Sequence, residues 1–162
     1  TGIGEESRPV IAAALKKAES TNGPACAIEL SDGKIVTGKT SSLLGASSAM
    51  MLNCLKYLAG IPDEKPIISP NVIEPVQNLK TRFLGNSNPR LHTDELLVAL
   101  SICAVTSKDA ENALKQLPKL RDCEMHSSVI LANVDMNTLS RLGIRLTCEP
   151  KYQSKKLYHK KG

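Results

Sequence analysis

The segment from Ser42 to Ala59 constrains the fold more than any other part of the sequence. Its spacing predicts a helix that is apolar on almost every side. The apolar residues of this segment are Leu43, Leu44, Met50, Met51, Leu52, Cys54, Leu55 and Leu58. A helix with so narrow a polar stripe is buried on more than one side. Gly60 and Pro62 predict its end, and we expect it to pack on a sheet.

A β-hairpin is predicted just before this helix. Ala25 to Leu30 and Lys34 to Gly38 have the pattern of strands, and Ser31-Asp32-Gly33 between them is typical of a tight turn. Earlier in the chain, apolar residues at helical spacing predict a first helix from Glu5 to Glu19.

A second unit that contains strands is predicted towards the end of the chain. Ser127 to Ala132 and Ile144 to Cys148 have the pattern of strands. Between them we expect a helix that Asp135 caps and that runs through Arg141 to a C-cap at Gly143. The order strand, short helix, strand favours parallel pairing.

Only helices are predicted between these two units, in a stretch from about residue 62 to 120. We expect a helix from Asn71 to Leu84 that is interrupted near Pro75, a helix from Thr93 to Val105 with Thr93 as its cap, and a short helix from a Ser107 cap to Leu117. These helices are predicted to form a small insert in a single domain that covers residues 1–162.

The predicted fold class is α/β, with a mixed sheet and helices on both of its faces. This order of elements resembles the cytidine-deaminase-like fold, in which the helix after the hairpin carries a zinc site. The His/Cys-x-Glu and Pro-Cys-x-x-Cys motifs of such deaminases are absent from this sequence, so zinc deamination is not expected.

The junction Lys39-Thr40-Ser41-Ser42, at the predicted start of the apolar helix, is the first candidate site. The free N–H groups and partial positive charge of a helix N-terminus favour an anion, and the lysine and hydroxyl groups add donors. The alternative is an ordinary serine cap. Gly33 to Thr40 matches the phosphate-loop pattern, but its first half is a predicted strand, so we interpret the match as accidental.

A second candidate site consists of Arg90, His92, Asp94 and Glu95, at the predicted start of the next long helix. An arginine, a histidine and two carboxylates suit the binding of an anionic substrate and the transfer of protons. The alternative is helix capping, with acidic residues that the helix dipole favours.

Glu124 and His126 form a third candidate, because a Glu-x-His pair places both side chains on one face of a strand. A Ser–His hydrolase is disfavoured, since no nucleophile elbow surrounds His126 and Ser127. Metal binding by Glu124, His126 and His92 stays open, but the residues favour no metal site and identify no cofactor.

Glu149 is the last candidate, with Lys155 or Lys156 as a partner in a polar pocket. The alternative is a strand end followed by a surface arm. The tail from Lys151 to Lys161 holds five lysines of a chain whose net charge is +5. We expect a solvated end, with binding of a phosphate or an acidic partner as the alternative.

Composition excludes several function classes. With one phenylalanine, three tyrosines and no tryptophan, few rings are available to stack on bases, which disfavours a nucleic-acid partner. The five cysteines form no CxxC pair and are predicted to be reduced, unpaired and mostly buried, as in a cytoplasmic protein. No run approaches the roughly 18 apolar residues of a membrane span. The start Thr1-Gly2-Ile3-Gly4 suggests a fragment of a longer protein.

Several strings of the sequence resemble one family. They are Ile35 to Ala46, Ile68-Ser69-Pro70, Gly85 to Glu95, His126 to Leu131, Leu146 to Pro150 and Lys155 to His159. Together they are similar to the C-terminal part of the bacterial domain of unknown function family 1846, over nearly the whole chain. The resemblance implies a longer protein and supplies no catalytic residues.

We therefore predict the C-terminal domain of a cytoplasmic bacterial protein. It would contribute an anion- or phosphate-binding site, shared with the rest of its own longer chain, to an enzyme that acts on a phosphorylated small molecule. The alternative is a non-catalytic domain whose apolar helices mediate oligomerisation. A homo-oligomer is expected, and neither a membrane nor a nucleic acid is expected as a partner.

Overall fold

The computed structural model of the chain describes residues 8–150. Its α-helices are α1 (Pro9–Thr21), α2 (Ala46–Leu58), α3 (Pro70–Asn78), α4 (Thr93–Cys103), α5 (Lys108–Leu114) and α6 (Asn133–Arg141). Its strands are β1 (Ala25–Glu29), β2 (Ile35–Lys39), β3 (Glu124–Ser127) and β4 (Arg145–Cys148). The predicted α/β class is confirmed. The residues before Arg8, where the first helix was expected to begin, and the lysine-rich tail lie outside the described part.

The strands form one mixed sheet in the order β2-β1-β3-β4. β1 is antiparallel to both of its neighbours, with Ile28 opposite Val36 on one side and Met125 on the other. β3 and β4 are parallel, as the short helical connection predicted, with Met125 opposite Leu146. The hairpin and the later strand–helix–strand unit therefore share one sheet.

Alternation along β1 separates the two faces of the sheet. Cys26 and Ile28 belong to the main core, which contains α2 and α4, whereas Ala27 packs with Val10 and Ala14 of α1. The predicted arrangement of helices on both faces is thus observed. Within residues 8–150, every helix is too short or too polar to span a bilayer.

The apolar helix begins at Ala46, four residues later than predicted from Ser42. The hydroxyl of Ser41 accepts hydrogen bonds from the backbone N–H groups of Leu43 and Leu44, at 3.2 and 3.1 Å, and closes a separate turn. Gly45 occupies the N-cap position. Local side-chain bonding thus delays the helix, and the hydroxyl-rich junction lies before its first turn.

β3 covers Glu124–Ser127 rather than the predicted Ser127 to Ala132. The hydroxyl of Ser127 donates to the carbonyl of Val129 at 2.6 Å, and that of Ser128 accepts from the N–H of Ala25 at 2.9 Å. The Ser127 bond closes a local turn, and the pairing ends at Ser128, which is bonded to the first residue of β1, Ala25. The apolar run after Ser128 therefore forms an irregular segment at the end of the sheet.

Three helix boundaries also differ from the prediction. His92, not Thr93, is the N-cap of α4, and α6 begins at Asn133, so Asp135 lies inside its first turn. The helix predicted to break at Pro75 instead continues through it as α3 and then becomes a π-helical turn, Leu79–Phe83. Ser107 caps α5 as expected, and a 3-10 turn, Leu117–Leu120, follows.

Candidate functional site

A cavity of about 290 Å³ opens where the amino ends of α2 and α6 meet the N-cap residue of α4. Its lining residues are Pro24, Gly45 to Ser48, Asn88, Arg90 to His92, Val129 to Ala132 and Asp135. The floor is therefore built from the ends of secondary-structure elements, which is where α/β folds commonly place ligands.

The amino end of α2 presents backbone donors to this cavity. The first helical hydrogen bond runs from the N–H of Ala49 to the carbonyl of Gly45, so the N–H groups of Ala46, Ser47 and Ser48 precede the helical ladder. The hydroxyl of Ser48 donates to the carbonyl of Leu91 at 2.7 Å, and the Ser47 hydroxyl lies 2.9 Å from that of Thr93. The serines thus fix α2 to the start of α4.

His92 and Asp135 form an ionisable pair on the wall of the cavity. Nδ1 of His92 lies 3.0 Å from one oxygen of Asp135, and the backbone N–H of Thr93 donates to the other oxygen at 2.8 Å. The side chain of His92 is 28% exposed, whereas that of Asp135 is 10% exposed. Nδ1 is therefore occupied, and Nε2 is the ring nitrogen that has no hydrogen-bond partner among the described residues.

The environment stabilises the charged forms of both partners. The hydrogen bond to Asp135 raises the pKa of His92 above its ordinary value, against the opposing effect of burial. Burial opposes ionisation of Asp135, but the hydrogen bonds from His92 and Thr93 outweigh it and hold the pKa of this carboxyl below its usual value. The pair favours an imidazolium beside a carboxylate.

Arg90 lies on the loop that precedes α4. Its Nε donates to the carbonyl of Ser41 at 2.6 Å, and its backbone N–H donates to the side chain of Asn88 at 3.0 Å. One edge of the guanidinium is thus fixed against the turn before α2. Arg90 also lines the cavity, so it brings a permanent positive charge to the site.

Lys80 and Glu95 support the start of α4 from outside the cavity. Lys80 is only 4% exposed, and its ammonium group donates to Glu95 at 2.8 Å and to the carbonyl of Arg90. The same oxygen of Glu95 accepts the backbone N–H of His92 at 2.8 Å. Asp94 accepts the N–H of Glu95 in the first turn of α4. This network positions Arg90 and His92.

The backbone of the predicted junction contacts two residues that line the cavity, Pro24 and Arg90. Lys39 and Ser42 are exposed, and the N–H of Thr40 donates to the carbonyl of Pro24 at 3.1 Å. The Thr40 hydroxyl is buried without a hydrogen-bond partner among the described residues. In the described part of the chain, the lining contains none of Lys39, Thr40, Ser41 and Ser42. Their binding role stays a prediction.

Glu124, His126 and Glu149 lie on the sheet face that carries α1. The ring of His126 is bonded on both sides, with Nδ1 2.6 Å from the Thr147 hydroxyl and Nε2 2.8 Å from Glu149. Glu124 pairs with Arg8. The proposed lysine partners of Glu149 fall outside the described residues. The structure thus groups Arg90 with His92 and places these three side chains in a different cluster.

Asp135 was predicted only as a helix cap, and the candidate anion site was predicted at Lys39 to Ser42, just before Gly45 to Ser48. An acidic residue at the amino end of a helix that follows a strand was the one available signal for Asp135. Its partner, His92, lies 43 positions earlier in the chain, so no local pattern joins them. Among residues 8–150, no group of three His, Cys, Asp or Glu side chains has the arrangement of a metal site.

Comparisons with known proteins place this chain within one group. A family model described as the C-terminal part of domain of unknown function DUF1846 matches residues 6–158. A UPF0371 protein of Corynebacterium glutamicum (strain R) is 54% identical over 160 residues, which are 99% of this chain and 32% of that protein. UPF0371 proteins of Corynebacterium diphtheriae and Streptococcus thermophilus are 52% and 48% identical, with the same 32% share of each relative. The chain therefore spans about a third of their length.

Proposed function

The chain belongs to the DUF1846 C-terminal family, and we propose that this domain contributes an anion-binding cavity to an enzyme that acts on a phosphorylated small molecule. One observation carries the proposal: Arg90 and His92 line a cavity that the amino end of α2 also lines. A guanidinium and free helix N–H groups are the donors that proteins use for phosphate.

The sheet order supports the finer topological proposal. In the cytidine-deaminase-like fold, the helix after the hairpin carries the site, and here α2 follows the β1–β2 hairpin and lines the cavity. α6 follows β3 and lines the same cavity. We therefore propose a site at the same place in the fold as the site of such deaminases. Its chemistry would not involve zinc, since the deaminase motifs are absent from the sequence.

The relatives support a site that this domain shares with other parts of a longer protein. They are about three times the length of the matched region, since it makes up 32% of each. We propose that residues of the remaining chain complete the cavity and supply the specificity for the small molecule. The five unpaired thiols fit a cytoplasmic location for this protein.

The test is anion binding by the full-length protein, read as the rise in melting temperature with added phosphate. Arg90→Ala is expected to reduce this rise, because stabilisation follows ligand affinity by mass action. Arg141→Ala is the matched control, since Arg141 is exposed at the carboxyl end of α6, opposite the end that lines the cavity. Equal phosphate effects in the two variants would contradict the proposal.

One observation favours the alternative role in oligomerisation. Val98, Ile102 and Val105 follow one exposed stripe of α4 and the turn after it, and Val105 is 82% exposed. If this stripe is an interface, Ile102→Asp will lower the assembly mass of the full-length protein in sedimentation without affecting phosphate binding. An unchanged mass excludes the stripe from such a role.

A further inference from the structure

Among the described residues that line the cavity, His92 is the one ionisable side chain that can both hold and release a proton near neutral pH. Arg90 is permanently charged, and Asp135 is bonded through both of its oxygens. The carboxylate of Asp135 accepts a hydrogen from Nδ1 of His92, which fixes the tautomer of the neutral ring. In that tautomer, Nε2 carries a lone pair and faces away from Asp135.

We propose that His92 is the catalytic proton carrier of this cavity and that Asp135 is its positioning residue. This inference rests on the proposed function, because it needs a ligand anion held beside Arg90. The substrate class is a phosphorylated compound that bears an ionisable O–H group within reach of Nε2.

The transfer balances without any further reactant. The step starts from the neutral ring, which is the form present above the pKa of His92. The proton of the ligand O–H then moves to Nε2, where the ring lone pair forms the new N–H bond, and the electron pair of the broken O–H bond stays on the ligand oxygen. The resulting imidazolium is balanced by the carboxylate of Asp135. Arg90 and the N–H groups at the start of α2 lie on the same cavity and stabilise the negative oxygen.

Asp135 is the charged group that most affects the pKa of His92, because the other charged groups around the ring oppose each other. Glu95, on the same helix, accepts the backbone N–H of His92 and is paired with Lys80 of the π-helical turn. These two opposite charges largely compensate each other. α2 contributes only hydroxyl and backbone groups at this end, and α6 contributes Asp135.

The experiment measures the affinity of sulfate for the full-length protein by calorimetry between pH 5.5 and 9. Sulfate does not titrate in this range, so any pH dependence belongs to the protein. In the wild type, affinity is expected to fall by up to about tenfold per pH unit above the pKa of His92, as the imidazolium donor is lost. His92→Gln is expected to remove this slope, whereas His126→Asn, on the other sheet face, is expected to keep it.

Asp135→Asn tests the positioning role separately. Loss of the carboxylate is expected to move the pH midpoint of sulfate affinity downward, because the imidazolium loses its partner. A lower melting temperature with an unchanged midpoint would show that Asp135 is structural only. Should this variant fail to fold, histidine-selective ¹⁵N NMR of the wild type decides, since the role requires the proton of the neutral ring on Nδ1.

The outcomes separate this inference from the proposed function. One outcome is that sulfate binding depends on Arg90 while its affinity has the same pH dependence in His92→Gln as in the wild type. That result would overturn the proton-carrier role but not the anion site. Absence of sulfate and phosphate binding in the wild type overturns both.

Discussion

Gly38 of β2 and Met50 of α2 meet backbone to backbone. A Cβ atom on Gly38 would overlap the backbone nitrogen of Met50 and would lie 2.7 Å from the carbonyl carbon of Ala49. This contact packs α2 directly on the hairpin. It thereby fixes the position of the amino end of α2, which lines the cavity.

Gly38→Ala is therefore expected to lower the free energy of unfolding by about 3 kcal/mol or more, because backbone atoms of a buried helix cannot move aside as a side chain would. Chemical denaturation measures the effect. Gly23→Ala is the matched control, since a Cβ there meets nothing within 4 Å. Similar stabilities for the two variants would mean that α2 does not pack on β2 in this way.

The His92–Asp135 pair predicts a bell-shaped contribution to stability. The raised pKa of His92 contributes stability that is fully present below its unfolded value of about 6.5 and is lost as pH rises through the folded value. The lowered pKa of Asp135 contributes stability that is present above about pH 4 and is lost as pH falls through the folded value. The wild type is therefore expected to be more stable than His92→Gln, and the difference between their unfolding free energies is expected to be largest between about pH 4 and 6.5. A difference that is flat with pH would show that the two groups are not coupled.

Glu95→Gln is expected to destabilise the domain by about 3 kcal/mol, because it leaves the buried ammonium of Lys80 without its counter-charge. The glutamine oxygen still accepts the N–H of His92, so the effect isolates the charge. Thermal unfolding measures it. Glu111→Gln is the control, since its pair with Lys108 is exposed and its loss is expected to change little. If the two substitutions lowered the stability equally, the ammonium group of Lys80 would be hydrated and would not depend on Glu95 for its counter-charge.

All five cysteines are free in the structure, which confirms the prediction of unpaired thiols. Burial raises the pKa of Cys26 and of Cys54 to about 12, so neither forms the reactive thiolate near neutral pH. Iodoacetamide labelling with peptide mass mapping is expected to modify these two only after unfolding. Half-buried Cys148 is expected to react before them. Rapid labelling of Cys26 in the folded protein would contradict this packing.

The sequence pattern predicted the hairpin and the long helix well, because both depend on local periodicity. Asp32-Gly33 fixed the hairpin, and Met50, Met51, Cys54 and Leu55 of α2 are buried as expected. The boundaries that were wrong lie where serine side chains bond to nearby backbone. Ser41 closes a turn before α2, and Ser127 ends β3 early.

The candidate site was predictable only in part. Arg90 and His92 were found because an arginine and a histidine before a helix start form a local signal. Asp135 reaches His92 only after α4 and α6 pack together, and that contact depends on tertiary structure. Glu124 and His126 share a strand face as predicted, but the sheet register gives them partners on the α1 side.

The most direct test of the proposed anion site is anomalous diffraction from crystals of the full-length protein soaked in tungstate, a heavy analogue of phosphate. We expect an anomalous peak in the cavity, within hydrogen-bonding distance of Arg90 and of the N–H groups of Ser47 and Ser48, and we expect Arg90→Ala crystals to lose it. Peaks confined to other surfaces, with this cavity free of tungstate in the wild type, would contradict the anion-binding role.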